Sequence, residues 1–372
     1  MTQEPNIFPY IDRLLQGAEV VWKPLGEVAE IKTGQTVSKN IIAENIGEYP
    51  VINSGREPLG FINTWNTDND PIGITSRGAG VGSVTWQEGK YFRGNLNYSV
   101  SIHDSSILDT RFLYHLLLQM QTNIQALCTF QGIPALNAAN LKKLPIPLPP
   151  LSVQQEIVRI LDKFSQLEAE LEAELEGRKR QYEYYRNKLL TFNEIGGGTK
   201  VEWKTLGEVC SNIFSGKNKD RNNNGLYPIY GSTGIIGKTN KKAFSSKQIL
   251  VARVGANAGY VHIAKGEYDV SDNALIIQHD KIINLKFLYY ILVNTKLNQY
   301  AKGGGQPLIT ARELKSIVIP LPPLEEQQRI ATILDKFDTL VNSISEGLPK
   351  EIALRRKQYE YYREQLLRFP KE

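Results

Sequence analysis

Eighteen residues recur almost unchanged in this chain. PLPPLSVQQEIVRILDKF runs from Pro147 to Phe164 and PLPPLEEQQRIATILDKF from Pro320 to Phe337, with 13 of 18 positions identical. Other segments return in the same order. VVWKPLGEV (Val20–Val28) returns as VEWKTLGEV (Val201–Val209), and EYPVINSG (Glu48–Gly55) as LYPIYGST (Leu226–Thr233). GAGVGSV (Gly78–Val84) returns as GANAGYV (Gly255–Val261), and RFLYHLL (Arg111–Leu117) as KFLYYIL (Lys286–Leu292). RKRQYEYYRNKLLTF (Arg178–Phe192) returns as RRKQYEYYREQLLRF (Arg355–Phe369). An internal repeat dictates architecture, so whatever this chain folds into, it folds into it twice.

Each half reads as a globular stretch, a proline-rich stop and a long helix ending in LLxF. Short β-rich runs such as YPVI, GSVTW, QILVARV and YVHIA alternate with Gly/Asn/Ser turns, which suits a curved sheet or small barrel. RFLYHLLLQMQ and KFLYYILVNTKLNQY carry helical periodicity, while NAANLKKL and TARELKSI read as short helices before the prolines. Each proline pushes its predecessor out of the helical region, so the stop is extended. The expected organisation is a globular domain over 1–150, a helix and linker over 151–198, a second globular domain over 199–323 and a second helix over 324–372.

The helix starts carry their own logic. Ser152 and Gln155 form an S-x-x-Q capping box, and Glu325 and Glu326 place negative charge at the positive end of the second helix dipole. Apolar residues follow at three- and four-residue spacing. Ile157, Leu161, Phe164 and Leu171 mark the first stripe, and Ile330, Leu334, Phe337 and Ile344 the second. A 40-residue helix spans about 60 Å, too far to bury its stripe on one small domain, so the two helices are expected to pair antiparallel about a pseudo-twofold as a coiled coil. The alternative is two helices each folded back on its own domain. The second copy is four residues longer between DKF and QYEYYR and contains Gly347-Leu348-Pro349, which should kink or break it. The first copy instead reads LEAELEAELE (Leu167–Glu176), built of good helix formers.

Several motifs fail on inspection. STGIIGKTN (Ser232–Asn240) has Ser232 where a phosphate-binding loop needs glycine, and GAGVG (Gly78–Gly82) lacks the last glycine of a dinucleotide fingerprint and reads as a hairpin. His103-Asp104 and His279-Asp280 sit at strand ends without a nucleophile and read as structural. Cys128 and Cys210 form no metal-binding or disulfide pattern. No catalytic residue and no metal ligand emerges. With 41% hydrophobic and 22% charged residues, no secretory signal and no membrane-length apolar run, the chain is expected in the cytoplasm.

Charge is uneven. Residues 199–323 carry 17 Lys+Arg against 8 Asp+Glu, whereas 1–150 carry 11 against 13. A basic segment of this kind is the footprint an anionic partner selects.

Taken together, the W-x-x-L-G-E-V openings, the two IPLPPL-x-x-QQ-x-I-x-x-ILDKF blocks, the two QYEYYR-x-x-LL-x-F endings and the GLPKEI element resemble the DNA-specificity subunits of type I restriction-modification systems, over essentially the whole chain. The resemblance implies an α+β protein in which two target-recognition domains, separated by two long antiparallel helices, each read half of a split site on double-stranded DNA. It implies docking of two methyltransferase subunits, which carry S-adenosylmethionine, and of restriction (motor-nuclease) subunits, which use ATP and Mg. It implies no cofactor and no catalysis on this chain. LEAELEAELE resembles the tetrapeptide tracts that tune half-site spacing. The competing reading is a non-catalytic coiled-coil adaptor whose globular ends bind proteins.

DNA-contact candidates follow from chemistry, Arg or Lys for guanine and phosphate and Asn or Gln for adenine, placed in Gly/Asn-rich loops. In the first half these are Lys32, Lys39, Arg56, Arg77 and Asn97. In the second they are Lys217, Lys219, Arg221, Lys238, Lys241, Lys242, Arg253 and Asn273. Arg77 and Arg253 lead because the duplication sets both beside a glycine turn.

Overall fold

The computed structural model of the chain describes residues 11–55, 57–192, 201–220, 224–303 and 305–369. Each globular part is closed by the two motifs that recur at its ends. The opening strand Val21–Pro24 pairs antiparallel with Pro145–Leu148, Trp22 opposite Pro147. Glu202–Thr205 pairs in the same way with Val318–Leu321, Trp203 opposite Pro320. Prolines at alternate positions are tolerable in such a ribbon because neighbouring residues turn their N–H groups to opposite sides. Ile146 and Ile319 point inward and are fully buried, at 0% and 1% exposure.

Between these ends each half carries small separate sheets, where the β-rich runs suggested a curved sheet or small barrel. In the first half a four-stranded antiparallel sheet runs in the order Ala29–Thr33, Asn97–Ile102, Ile72–Thr75, Val84–Trp86. Its counterpart runs Cys210–Ser215, Ala274–His279, Gln248–Ala252, Val261–Ala264. A second sheet in each half contains one parallel pair, Ile46–Ile52 with Lys90–Arg93 and Tyr227–Gly231 with Asp269–Val270. The rejected motifs fall on hairpin turns: Gly78 and Gly82 between antiparallel strands, and Ser232 between Tyr227–Gly231 and Gly234–Thr239.

The first long helix is continuous over Leu151–Leu190, 40 residues. The second is broken into Leu324–Asn342 and Gly347–Leu366. The kink expected of Pro349 comes from elsewhere. Pro349 is the third residue of its helix, in the first turn, where a missing N–H removes no hydrogen bond. The chain turns instead at Gly347, whose φ of +75° is left-handed. Ser152 likewise lies one residue inside a helix that starts at Leu151, so it is not the N-cap expected of it.

The chain divides into two compact units that cut across the repeat. One comprises residues up to Glu170 together with those from Ile352 onward, and the other Leu171–Glu351. In the first unit the core joins Phe112, Leu113, Leu116 and Leu117 of the helix Thr110–Gln119 to Ile157, Ile160 and Leu161 of the first DKF block. Leu366, Leu367 and Phe369 of the second LLxF ending complete it. In the second unit Phe287, Leu288, Ile291 and Leu292 pack with Ile330 and Leu334, and with Tyr182, Leu190 and Phe192 of the first copy's ending. Each ending therefore seals the other half's domain. The two segments in the first unit run antiparallel, since Phe164 meets Tyr362 while Glu168 meets Arg356.

The packing stripe needs correcting in two ways. Ile157, Leu161, Ile330 and Leu334 are buried, but much of their burial is against the domain helices. Ile344 is 89% exposed in the segment between the two pieces of the broken helix and packs in neither core cluster. Phe164, Leu171 and Phe337 are half-buried.

Candidate nucleic-acid interface

The candidate contacts fall into three groups. Lys39, Arg77, Lys217, Lys219, Lys238 and Lys241 are exposed. Lys32 and Lys242 are exposed but paired, with Glu30 at 2.7 Å and with Glu267 respectively. Arg253 and Asn273 are half-buried, the Arg253 guanidinium reaching the Asp272 carbonyl at 3.4 Å. Arg56 and Arg221 lie outside the described residues. Asn97 leaves the surface set altogether: it is 1% exposed and its Oδ1 accepts from Arg93 at 2.7 Å.

The duplication does not pair Arg77 with Arg253. Gly78 N–H donates to the Pro134 carbonyl and Gly255 N–H to that of Pro307. Two residues earlier, Ser76 N–H donates to Leu96 O and Arg253 N–H to Asn273 O. Arg253 thus corresponds to Ser76, and Arg77 to Val254. Successive residues of an extended chain face opposite sides, so a one-residue offset turns Arg77 out and Arg253 partly in.

A cavity of about 290 Å³ opens in the first unit beside the strand Ala29–Thr33. Its floor is Arg93, 3% exposed. The guanidinium donates to the carbonyls of Ile72 (3.1 Å), Tyr98 (3.1 Å) and Asp70 (2.6 Å), to Asn97 Oδ1 and to the Tyr91 hydroxyl. The Asp70 carboxylate lies 3.6 Å away. Burial pulls the guanidinium below its ordinary pKa, with Tyr91 and Asp70 opposing. Burial likewise raises the Tyr91 phenol. Asn66 holds the backbone of the same residue, accepting from Arg93 N–H at 2.7 Å and donating to its carbonyl at 3.0 Å. Gln35 and Asp68 stand exposed at the mouth. Residue-type reasoning missed Gln35, Asp70 and Arg93. The available sign was Gly34, which follows the W-x-x-L-G-E-V opening as Gly216 does in the second copy.

Two matches decide the family. The profile of the type I restriction modification DNA specificity domain matches residues 18–177 and again 199–354. The EcoR124I/EcoR124II specificity subunit of Escherichia coli is 34% identical over 408 residues, covering 97% of each chain. The chain belongs to the type I restriction-modification DNA specificity family. The EcoprrI specificity subunit of Escherichia coli is 30% identical over 384 residues, covering 91% of this chain and 92% of that one. The crystal structure of a type I restriction-modification S subunit from M. genitalium shares the fold, with a TM-score of 0.67 at 20% identity over 100% of this chain and 99% of that one.

In this specificity chain the repeated helix start is a buried joint. Gln154 and Gln327 are 0% and 1% exposed. Gln154 Oε1 accepts from Asp109 N–H at 2.8 Å, and its Nε2 donates to the carbonyls of Ile107 and Pro149, each at 2.8 Å. Gln327 repeats the set with Asn284 N–H (2.8 Å), Ile282 O (3.2 Å) and Pro322 O (2.8 Å). One amide thus ties the helix start, the proline stop and the loop before the domain helix.

A second joint lies two turns on. Asp162 accepts from Arg111 and His115, both at 2.8 Å, and Asp335 from Lys286 (2.9 Å) and Tyr290 (2.5 Å). Burial opposes the charge on Asp162, but the hydrogen bonds from His115 and Arg111 prevail and hold its carboxyl below the ordinary range. His115 is also pushed down by burial, against the pull of Asp162, which favours a neutral ring. Among the described residues no cluster of three or more His, Cys, Asp or Glu could hold a metal ion, and no helix is long and apolar enough to cross a membrane.

Proposed function

We propose that this chain is the DNA-reading component of a type I restriction-modification complex. Each unit reads one half of a split site on double-stranded DNA, and the long helices offer equivalent docking surfaces to two methyltransferase subunits. The chain itself catalyses nothing and holds no cofactor. S-adenosylmethionine belongs to the methyltransferase subunits, ATP and Mg to restriction subunits that join them, and the complex works in the prokaryotic cytoplasm.

The observation that carries this reading is the contrast between constant joints and divergent faces. Gln154 and Gln327 make the same bonds in both units, and Asp162 and Asp335 accept from equivalent positions of the domain helix. The faces differ, with a buried arginine and an amide-lined cavity in one unit and free lysines in the other. A protein that presents one scaffold to a symmetric partner and reads two unrelated half-sites needs that division. Exposed apolar groups at equivalent positions of both copies support the docking half of the proposal. These are Tyr184 and Tyr361 on the long helices, at 60% and 51%, and Ile107 and Ile282 in the loops before the domain helices, at 48% and 43%.

The test is to copurify the chain with its methyltransferase subunit and measure mobility shifts on a bipartite site across a salt series. Phosphate contacts release counterions, so affinity should fall steeply with salt. Methylation of DNA by the chain alone, supplied with S-adenosylmethionine, would overturn the non-catalytic assignment.

A further inference from the structure

In both units two backbones pass each other at the same glycine crossing. A Cβ on Gly34 would collide with the carbonyl oxygens of Arg93 and Gly94, and one on Gly216 with those of Val270 and Ser271. Only glycine lets the two backbones pass. Beyond the crossing, by one residue in the first unit and two in the second, Gln35 forms a parallel bridge to Gly94 and Asn218 one to Ser271. The backbone bonds agree, Gln35 N–H donating to Arg93 O and Asn218 N–H to Val270 O. Two amide side chains therefore occupy one equivalent position.

Their surroundings differ. Asn218 is spent internally: its Nδ2 donates to Asp269 and its Oδ1 accepts from Asp220 N–H, both at 2.7 Å. Gln35 is exposed, with no side-chain hydrogen-bond partner among the described residues, at the mouth of the 290 Å³ cavity. The backbone beneath it is held rigidly, because Asn66 and the Arg93 guanidinium together pin the strand it bridges. The mouth adds an exposed carboxylate, Asp68, and the buried cation below is already neutralised by Asp70. Lys32, the exposed cation at the rim, is paired with Glu30 at 2.7 Å, so the site does not favour phosphate. At its mouth the exposed Gln35 amide offers one donor and one acceptor side by side, and so suits the edge of a base that carries an exocyclic amino group.

The geometry points to Gln35 as a base-reading residue of the first unit, its amide pairing bidentately with the N6 and N7 edge of an adenine. Asp70, Arg93 and Asn66 are positioning residues that fix where that amide stands. This rests on the DNA-reading function proposed above. In the second unit the equivalent amide is locked and flanked by the exposed Lys217 and Lys219, so the two half-sites are read by different chemistry at one shared position.

The experiment uses the complex of the full chain with its methyltransferase subunit, and a library of bipartite sites with each half-site position randomised in turn. The comparison is between the unaltered chain, Gln35→Ala, Gln35→Glu and, as a control at an exposed residue that neither lines the cavity nor belongs to the candidate contacts, Glu44→Ala. Melting temperatures of the complexes establish that the variants fold. Gln35→Ala should relax one position of one half-site, with discrimination for adenine falling about 5- to 150-fold, the range a bidentate pair supplies, and leave the other half-site untouched. Gln35→Glu, which only accepts, should move that position towards cytosine, whose N4 amino group donates. That gain is one a merely structural glutamine could not produce. An unchanged preference in Gln35→Ala, or a uniform loss across all sequences, overturns the assignment of Gln35 while leaving the DNA-reading function standing. Absence of any bipartite preference in the unaltered complex would instead overturn that function.

Discussion

Phe164 stacks on Tyr362, ring centroids 5.1 Å apart and planes inclined by 27°. Phe337 meets Tyr185 in the equivalent way, at 5.6 Å and 23°. The aromatic of each DKF block thus packs on the tyrosine of the other copy's QYEYYR. Stacked aromatics couple by about 0.5–1.5 kcal/mol beyond their burial, so a double-mutant cycle can read the exchange. Phe164→Ala and Tyr362→Ala should couple by that amount in denaturant unfolding. Phe164→Ala and Tyr185→Ala, which share a half of the sequence but not a unit, should be additive within about 0.5 kcal/mol. The reverse pattern would mean that each half folds with its own ending.

Gln154 should be among the costliest polar residues to truncate. Removing its amide leaves the buried Pro149 carbonyl, and the part-buried Asp109 N–H and Ile107 carbonyl, without that partner, and a buried unsatisfied group costs about 1–3 kcal/mol, a part-buried one less. Gln154→Ala should therefore destabilise the chain by about 2–4 kcal/mol, and Gln327→Ala by a similar amount in its own unit. Gln154→Glu should not rescue, because a carboxylate cannot donate to the Ile107 and Pro149 carbonyls. A loss below 0.5 kcal/mol in urea unfolding would refute the joint.

These two results mark what the sequence displays and what it hides. The duplication, the helix starts and the tight ends of each domain were legible, because recurrence needs no geometry to detect. The expected antiparallel pairing places each DKF block beside the other copy's QYEYYR, as observed, although the identical residues alone offer either pairing the same chemistry. Ser152 matched a capping pattern, but the helix begins one residue earlier and the work falls to Gln154. Ile344 fitted the apolar spacing but lies beyond the helix end at Asn342, where Ser343 turns to extended backbone, and is exposed. The candidate interface was the least legible part. Arg93 reads as a surface residue by type, and Arg77 and Arg253 align by eye but sit one residue out of register.

Acid should loosen the second unit through His262. Its ring lies between Tyr230 and Tyr260, both at 5.8 Å, and neither nitrogen has a hydrogen-bond partner among the described residues. Burial depresses its pKa from 6.5 to about 4. The unfolded chain then binds the proton more readily than the folded one between these values, so stability is present in full above pH 6.5 and is lost as pH falls towards 4. The loss is on the order of 2–3 kcal/mol. Melting temperature against pH should show a steeper fall over this window for the unaltered chain than for His262→Phe. At neutral pH the phenylalanine variant should be at least as stable, since it removes an unpaired buried polar group. Identical slopes in the two proteins would show that His262 does not titrate in this way.

The break in the second helix should depend on Gly347 and not on Pro349. A Cβ at Gly347 would stand 2.5 Å from the Thr339 carbonyl oxygen and 2.7 Å from that of Leu340, at a φ of +75°. Gly347→Ala should cost about 1–3 kcal/mol. Pro349→Ala should change stability by less than about 1 kcal/mol, because Pro349 lies in the first turn. Thermal unfolding of the two variants separates the roles directly. A large loss in Pro349→Ala would return the break to the proline.

The tandem LEAE tract supplies the last prediction, which rests on the proposed DNA-reading function. Leu167–Glu176 lies wholly inside the continuous helix Leu151–Leu190. Deleting Leu171–Glu174 removes one tetrapeptide and leaves Glu168, with its ion pair to Arg356, in place. The helix shortens by about 6 Å and rotates by roughly 40°, so the apolar stripe nearly keeps its face. Six ångströms is close to two steps of DNA at about 3.4 Å each. Methylation mapped across a genome carrying the variant complex should show both half-sites unchanged and the spacer between them about two base pairs shorter. A variant that kept the original spacer would deny the tract its role as a ruler. One that altered a half-site would mean that the tract takes part in reading the DNA.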